Sequence, residues 1–212
     1  GLLIQSNDFL SFLREITSEH NSLLIFDEVI SGFRIGGFTG MAGKTNITPD
    51  LVTYGKVIGG GLPVGAIAGK KEYMDLLAPV GPVYQAGTLS ANPLAMIGGL
   101  ATLKQLTDES YTQLSIQSSK ICELFESWFK EFENGRFENY KITTMDSLFW
   151  IHPGKSISKA CDIPENLAEG FTPLFETLLK KGIYLAPNAY EVGFVSMAHN
   201  DEVIQDLKER LF

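Results

Sequence analysis

The first half of the chain alternates short apolar runs with amphipathic stretches. Residues 23–26 and 51–54 are largely apolar without a polar alternation, which is typical of strands buried on both faces of a sheet. A third run, residues 64–68, follows a glycine-rich loop. Residues 8–19 carry apolar side chains at helical spacing after Asn7, a suitable N-cap, and predict an amphipathic helix. We therefore expect an α/β arrangement with a mainly parallel sheet up to about residue 106.

The pattern changes after residue 107, where long helical stretches and shorter β-like pieces follow one another. We expect a first domain over residues 1–106 and a smaller α+β domain over residues 107–212. In the first domain, further helices are predicted at 72–78 and from Asn92-Pro93 to about residue 106. In the second, helices are predicted at 111–132, 172–181 and from about 201, and strands at 140–144, 148–151, 183–186 and 193–197.

Composition and charge exclude several classes of protein. The chain has 212 residues, of which 44% are hydrophobic, so it can bury a core. Its net charge of −8, without a basic stripe, argues against nucleic acid and against an anionic membrane as partners. The two cysteines, Cys122 and Cys161, do not form a disulfide framework, which predicts a reducing, cytoplasmic location. From the opening residues we expect no signal peptide, and the longest apolar stretch, residues 57–69, is too short to span a membrane.

A lysine and an acid each follow one of the predicted strands. Asp27 closes the first apolar run, and Lys56 follows the second and precedes the glycines at 59–61. This pair suits pyridoxal phosphate (PLP), because a lysine can form the Schiff base while an acid holds the pyridinium nitrogen protonated. Burial of Lys56 among the strands and glycines would favour its neutral, nucleophilic amine. Each residue alone is more often a solvated charge at a strand end.

Residues near the pair offer further contacts for such a cofactor. Strand alternation places Val29 on the same side as Asp27, where its methyl groups could face a ring, and Glu28 on the other side. The segment 87–90 (GTLS) supplies a hydroxyl and free amides before a helix start, which suits a phosphate, although helix capping explains it equally well. The three histidines lack metal-ligand spacing, so no metal site is predicted.

Several segments carry a resemblance to a known family. Residues 24–29 (LIFDEV), 32–34 (GFR), 48–51 (TPDL) and 55–66 (GKVIGGGLPVGA) resemble class III aminotransferases of PLP fold type I. Residues 81–96 (GPVYQAGTLSANPLAM) and 191–199 (EVGFVSMAH) resemble, within that family, the glutamate-1-semialdehyde 2,1-aminomutases. The resemblance implies an α/β fold, the second half of a PLP-binding large domain (1–106), followed by a small α+β C-terminal domain (107–212).

The resemblance also implies roles for individual residues. Lys56 would be the Schiff-base lysine, Asp27 the partner of the pyridinium nitrogen and Val29 the residue packed on the ring. Gly87 and Thr88 match the loop that binds the phosphate of the neighbouring subunit's cofactor, which implies a homodimer.

The implied reaction exchanges the amino group and the carbonyl oxygen of glutamate-1-semialdehyde, giving 5-aminolevulinate for porphyrin synthesis. PLP, which passes through its pyridoxamine form, would be the cofactor of this intramolecular aminotransferase. Glu191 would bind substrate, because a buried acid repels an α-carboxylate and tolerates an aldehyde; the alternative is an exposed acid in a turn after Asn188.

Two other functions stay open at this point. Members of this family are about twice as long as this chain, and the resemblance places the missing half before Gly1. One alternative is a class III transaminase acting on an ω-amine or an acetylornithine-type substrate. The other is an inert fragment that serves only in packing or dimerisation.

Overall fold

The computed structural model describes residues 1–154 and 157–212 and contains two compact units. One unit comprises residues 6–108, and the other comprises residues 1–5 together with 109–212. The assignment of residues 1–106 to a PLP-binding large domain and of 107–212 to a small domain stays a prediction. None of the helices in the described residues is both long and apolar enough to cross a membrane.

The unit of residues 6–108 is built on a three-stranded sheet. Its elements are α1 (Asn7–Glu19), β1 (Ile25–Asp27), α2 (Gly40–Thr45), β2 (Leu51–Gly55), β3 (Gly65–Gly69), α3 (Lys71–Met74) and α4 (Pro93–Leu103). The strand order is β1-β2-β3. β1 and β2 are parallel, with Asp27 opposite Thr53, whereas β3 runs antiparallel to β2, with Gly65 opposite Gly55. Among the described residues, the sheet therefore has one parallel and one antiparallel pairing.

Helix ends in this unit follow from local hydrogen bonds. Asn92 caps α4 as predicted, because its Oδ1 accepts a hydrogen bond from the N–H of Ala95 at 3.0 Å. The cap of α1 is Ser6 rather than the predicted Asn7: the Ser6 hydroxyl accepts from the N–H of Phe9 at 3.2 Å. The helix predicted over residues 72–78 is shorter, since α3 ends at Met74.

A buried carboxylate ties together the edge of the sheet at which β1 and β2 begin and β3 ends. Asp50 is 3% exposed and accepts hydrogen bonds from the Leu24 N–H at 2.8 Å, from Arg14 at 2.8 Å and from Lys70 at 2.5 Å. The hydrogen bond from Lys70, helped by the Leu24 amide and Arg14 and opposed by burial, holds the pKa of this carboxyl well below its usual range. Asp50 thereby joins α1, the start of β1 and the residue after β3.

We expect Asp50→Asn to lower the free energy of unfolding by about 2 kcal/mol at pH 7. This is less than the loss of a fully buried ion pair, because Arg14 and Lys70 are partly exposed. The folded pKa of Asp50 lies below the unfolded value of about 3.9, so the stabilisation is present above that pH and is lost as the pH falls through the folded pKa.

Urea unfolding of both proteins between pH 7 and pH 3 tests this expectation. The difference in free energy of unfolding between wild type and Asp50→Asn should become smaller toward pH 3. The matched control is Asp75→Asn, which breaks the exposed pair of Asp75 with Lys71 and should cost under about 0.5 kcal/mol. Equal effects of the two substitutions would contradict the role of Asp50.

The second unit packs two long helices on an antiparallel sheet. Its elements are α5 (Asp108–Glu131), β4 (Tyr140–Met145), β5 (Leu148–Pro153), α6 (Leu167–Lys180), β6 (Gly193–Phe194) and α7 (Asp201–Leu211). The strand order is β4-β5-β6, and both pairings are antiparallel. Large side chains from α5, β5 and α6 form the core, among them Phe125, Trp128, Trp150, Leu174 and Leu178.

Three predictions for this unit need correction. α6 begins at Leu167, five residues before the predicted start at 172, and it contains Pro173 in its interior. The strand predicted over residues 183–186 is not formed, because no neighbouring backbone pairs with it in the described part of the chain. The strand predicted over 193–197 is limited to β6, of which Gly193 and Phe194 pair with β5.

Candidate functional site

The carboxyl ends of β1 and β2 meet at one edge of the sheet, because the two strands are parallel. Asp27 is the last residue of β1, and Lys56 follows the last residue of β2 directly. The structure therefore brings these two predicted residues to the same edge. The expected burial of Lys56 is wrong: its side chain is exposed. Its φ of 51° lies in the left-handed region, which costs a residue with a Cβ on the order of 1 kcal/mol.

The Asp27 carboxylate is oriented by two hydrogen bonds. Its Oδ1 accepts from the N–H of Val29 at 3.0 Å and from the hydroxyl of Thr53 at 3.1 Å. Its Oδ2 accepts no hydrogen bond within the described residues, and the side chain is exposed. One oxygen is thus fixed by the protein while the other can accept a hydrogen bond from a ligand.

Val29 lies beside Gly55, between the two strand ends. A Cβ built on Gly55 would lie 3.2 Å from Val29 Cγ1, so the half-buried valine packs against this glycine on the side predicted by strand alternation. The edge therefore combines a carboxylate acceptor, an apolar surface and a primary amine. These are the groups that a pyridinium N–H, an aromatic ring face and an aldehyde require, so the residues fit PLP.

The predicted phosphate loop precedes α4. Gly87 and Thr88 are exposed, and the N–H of Ser90 donates to the Gly87 carbonyl at 3.0 Å. Helix α4 lies against the loop that carries Lys56: a Cβ on Gly60 would be 2.3 Å from the Gly98 carbonyl oxygen, and one on Gly99 would be 2.0 Å from the carbonyl oxygen of Ile58. The helix that begins after the phosphate loop is thus in backbone contact with the lysine loop.

Sequence reasoning missed Gly98-Gly99 and Glu28. The two glycines lie inside an apolar helix, a pattern that signals close approach of another backbone. Glu28 is 1% exposed; its Oε2 accepts from the Ser31 hydroxyl at 2.5 Å and its Oε1 from the Ala42 N–H at 3.1 Å. Strand alternation places Glu28 on the side opposite Asp27, but no local signal in the sequence shows that its carboxylate is buried.

Glu191 belongs to the other unit, and the structure does not bring it together with Lys56 and Asp27 in one compact unit. It is exposed, in a turn where its N–H donates to the Asn188 carbonyl at 3.1 Å, so the expected burial is not present. The residue lies in the wall of a cavity of about 430 Å³, lined mainly by apolar side chains such as Phe149 and Leu185. Its contribution to substrate binding stays a prediction.

Comparisons with known proteins identify the relatives of this chain. The family model for aminotransferase class-III matches residues 1–134. A glutamate-1-semialdehyde 2,1-aminomutase from Bdellovibrio bacteriovorus is 50% identical over 208 residues, covering 97% of this chain and 48% of the relative. The chain therefore spans about half the length of the curated relatives it matches.

Two solved structures are similar over the whole chain. An ω-transaminase from Sphaerobacter thermophilus has a TM-score of 0.88 and 29% identity, and it covers 100% of this chain and 48% of its own. A transaminase with PLP bound has a TM-score of 0.83 and 26% identity, with the same coverage. These likenesses confirm the predicted α/β fold of PLP fold type I.

Proposed function

The chain belongs to the aminotransferase class-III family, and from this premise we propose that it forms the lysine-bearing part of a PLP-dependent aminomutase. The reaction proposed is the conversion of glutamate-1-semialdehyde to 5-aminolevulinate. The observation that carries the proposal is the adjacency of the strand ends bearing Asp27 and Lys56 in a chain half identical to relatives of that name.

Each residue of the edge has a distinct task in this proposal. PLP, when bound, supplies an electron sink and a carrier for the amino group. Asp27 keeps a proton on the ring nitrogen through its oxygen Oδ2, while Val29 packs against the ring face. Lys56 holds the cofactor covalently and moves protons between substrate carbons as a general acid and base. Gly87 and Thr88 bind the phosphate of the neighbouring subunit's cofactor with a backbone amide and a hydroxyl.

Glu191 favours the mutase over a transaminase of α-amino acids. Enzymes that bind an α-carboxylate commonly use an arginine, whose fork matches the two oxygens. An acid at this position repels such a carboxylate, whereas it tolerates the aldehyde of glutamate-1-semialdehyde and attracts a substrate ammonium group. Because Glu191 is exposed in this chain, its effect in water is weakened by screening, and it supports the proposal less than Asp27 and Lys56 do.

A class III transaminase is the second candidate. The observation that favours it is the TM-score of 0.88 to an ω-transaminase, at an identity of 29%. Such an enzyme would take the amino group from a donor, release the resulting carbonyl compound, and need a second substrate to accept the amino group. An aminomutase needs neither, because the amino group returns to the same substrate skeleton.

The two candidates are separated by one assay on the full-length protein. It is supplied with glutamate-1-semialdehyde alone, and 5-aminolevulinate is measured over many turnovers, with Lys56→Ala as the control for spontaneous conversion. Steady formation without any added amino donor or acceptor is expected. Steady turnover of alanine with a keto acid, and none of the semialdehyde, would overturn the mutase. Absence of both PLP binding and turnover would identify an inert packing unit instead.

We also propose that the protein acts as a homodimer. The helix α4 and the loop before it expose large apolar side chains that water disfavours: Tyr84, Leu89, Leu94, Ile97 and Leu100 are each at least half exposed. Burial of this surface against a second copy would place Thr88 near the neighbour's cofactor, as the family resemblance implies.

Mixing two inactive variants tests that arrangement. We expect Thr88→Ala and Lys56→Ala subunits to recover activity when they form heterodimers, because one site then draws its lysine from one chain and its threonine from the other. Recovery of up to about half the activity per dimer is expected, since one of two sites is complete. The measurement is the rate after mixing, with heterodimers isolated by two affinity tags. Isolated heterodimers without activity would mean that Thr88 serves its own chain.

The proposed location is the cytoplasm. Both cysteines carry free thiols, Cys122 buried and Cys161 exposed. Burial raises the pKa of the Cys122 thiol to about 11, which keeps it protonated and unreactive. A free exposed thiol such as Cys161 is compatible with a reducing compartment.

A further inference from the structure

We propose that Glu28 is a positioning residue that fixes Asp27 and Val29 from the opposite side of the strand. This inference rests on the proposed function, because those two residues are the ones assigned to the cofactor ring. Glu28 lies between them in the chain, but its carboxylate points into the protein interior, where it is 1% exposed.

The carboxylate is held at both oxygens by different parts of the chain. Oε2 accepts from the Ser31 hydroxyl at 2.5 Å, three residues along the turn that follows β1. Oε1 accepts from the N–H of Ala42 at 3.1 Å, within α2. The segment at the start of α2 approaches closely, since a Cβ on Gly40 would lie 2.6 Å from both carboxylate oxygens. Glu28 therefore fastens the turn after β1 to α2.

The backbone of Glu28 is fixed as well. Its N–H donates to the Thr53 carbonyl at 2.9 Å, and its carbonyl accepts from the Gly32 N–H at 2.8 Å. The next residue, Val29, gives its N–H to Asp27 Oδ1. A shift of the Glu28 side chain would thus be transmitted to the hydrogen bond that orients the Asp27 carboxylate.

The energetics favour a positioning role. A buried carboxylate is costly unless its oxygens are hydrogen bonded, and here both are. A site must be held to within about 0.5 Å of its working geometry, which loops achieve only with supporting contacts. Removal of the carboxylate would release the turn from α2. Asp27 and Val29 would then no longer be held in the positions in which the Val29 N–H orients the Asp27 carboxylate.

The first measurement needs no cofactor. In the cofactor-free full-length protein, NMR hydrogen exchange at the Val29 amide should be at least about tenfold faster in Glu28→Ala than in wild type. Ser31→Ala removes one of the two hydrogen bonds to the carboxylate and should make exchange at the Val29 amide about threefold faster. This variant keeps the test available if Glu28→Ala does not fold. Glu28→Gln keeps an acceptor for the Ala42 N–H, so its exchange rate at the Val29 amide should stay within threefold of the wild-type rate.

The second measurement is binding of PLP followed by its absorbance. Glu28→Ala should bind PLP at least about tenfold more weakly and show an altered absorbance band. Asp50→Asn is the matched control, because it weakens the same unit at the opposite end of the strands and should keep the wild-type band and affinity.

The outcomes separate the two proposals. Unchanged Val29 exchange in both Glu28→Ala and Ser31→Ala overturns the positioning role, whatever PLP does. Equal loss of PLP affinity in Glu28→Ala and Asp50→Asn also overturns it, because the effect would then follow stability alone. A wild-type protein that binds no PLP overturns the proposed function, while the exchange rates still decide the role of Glu28.

Discussion

Replacement of Lys56 by alanine should reduce turnover by at least about 10³-fold while the protein still binds PLP. The substitution removes both the covalent attachment and the amine that moves protons, and acid–base catalysis alone is typically worth about 10²–10⁴-fold. The fold should persist, because the side chain is exposed and follows β2 rather than packing in it. The measurements are the initial rate of 5-aminolevulinate formation and the absorbance of bound cofactor.

Reductive trapping identifies the lysine independently of activity. Borohydride treatment of the loaded protein followed by peptide mass mapping should find the pyridoxyl group on Lys56. A group on Lys44 or Lys70, or on no lysine, would refute the assignment. Lys71→Ala is the matched control, because Lys71 is an exposed lysine of the same unit and its loss should leave the rate within about twofold.

The second large effect is expected from Asp27→Asn, with a fall in kcat of about 10²–10⁴-fold. The amide has the size of the carboxylate, and its oxygen can still accept from the Val29 N–H and the Thr53 hydroxyl. Only the charge that keeps the ring nitrogen protonated is lost, so the free energy of unfolding should change by less than about 1 kcal/mol.

A comparison with Thr53→Val isolates the charge from the geometry. That variant keeps the Asp27 carboxylate but removes one hydrogen bond to it, and we expect a loss in kcat below about tenfold. The measurements are kcat for both variants, which separates the effect of the charge from that of the geometry, and urea unfolding, which excludes a loss of stability. A near-normal rate in Asp27→Asn would mean that Asp27 is only a surface acid.

Local signals predicted much of the sheet unit. The apolar runs at residues 23–26, 51–54 and 64–68 correspond to β1, β2 and β3. The predicted burial of these strands on both faces is wrong for this chain, because every residue of β3 and two of the three residues of β1 are exposed. The cap at Asn92 was also predictable, since its hydrogen bond spans three residues. The edge shared by Asp27 and Lys56 followed from one further assumption, that neighbouring strands are parallel.

Features that depend on distant partners were not predictable. The burial of Glu28 requires knowledge that α2 supplies the Ala42 N–H, fourteen residues away. The early start of α6 contradicts the local signal of Pro173, because core packing of Leu167 and Leu174 outweighs the lost hydrogen bond. Residues 183–186 have strand-like side chains, but a strand exists only where another backbone pairs with it.

The glycines of α4 set limits on how this protein can vary. At Gly99 every other side chain would collide with the Ile58 carbonyl, whereas Ala101, two positions further along α4, is exposed. Mutational tolerance should therefore change abruptly between nearby positions of one helix. A library of substitutions should recover only glycine at the first position and many different residues at the second. The lysine loop would thus constrain which sequences of α4 can survive selection, although the two are separated by about forty residues of chain.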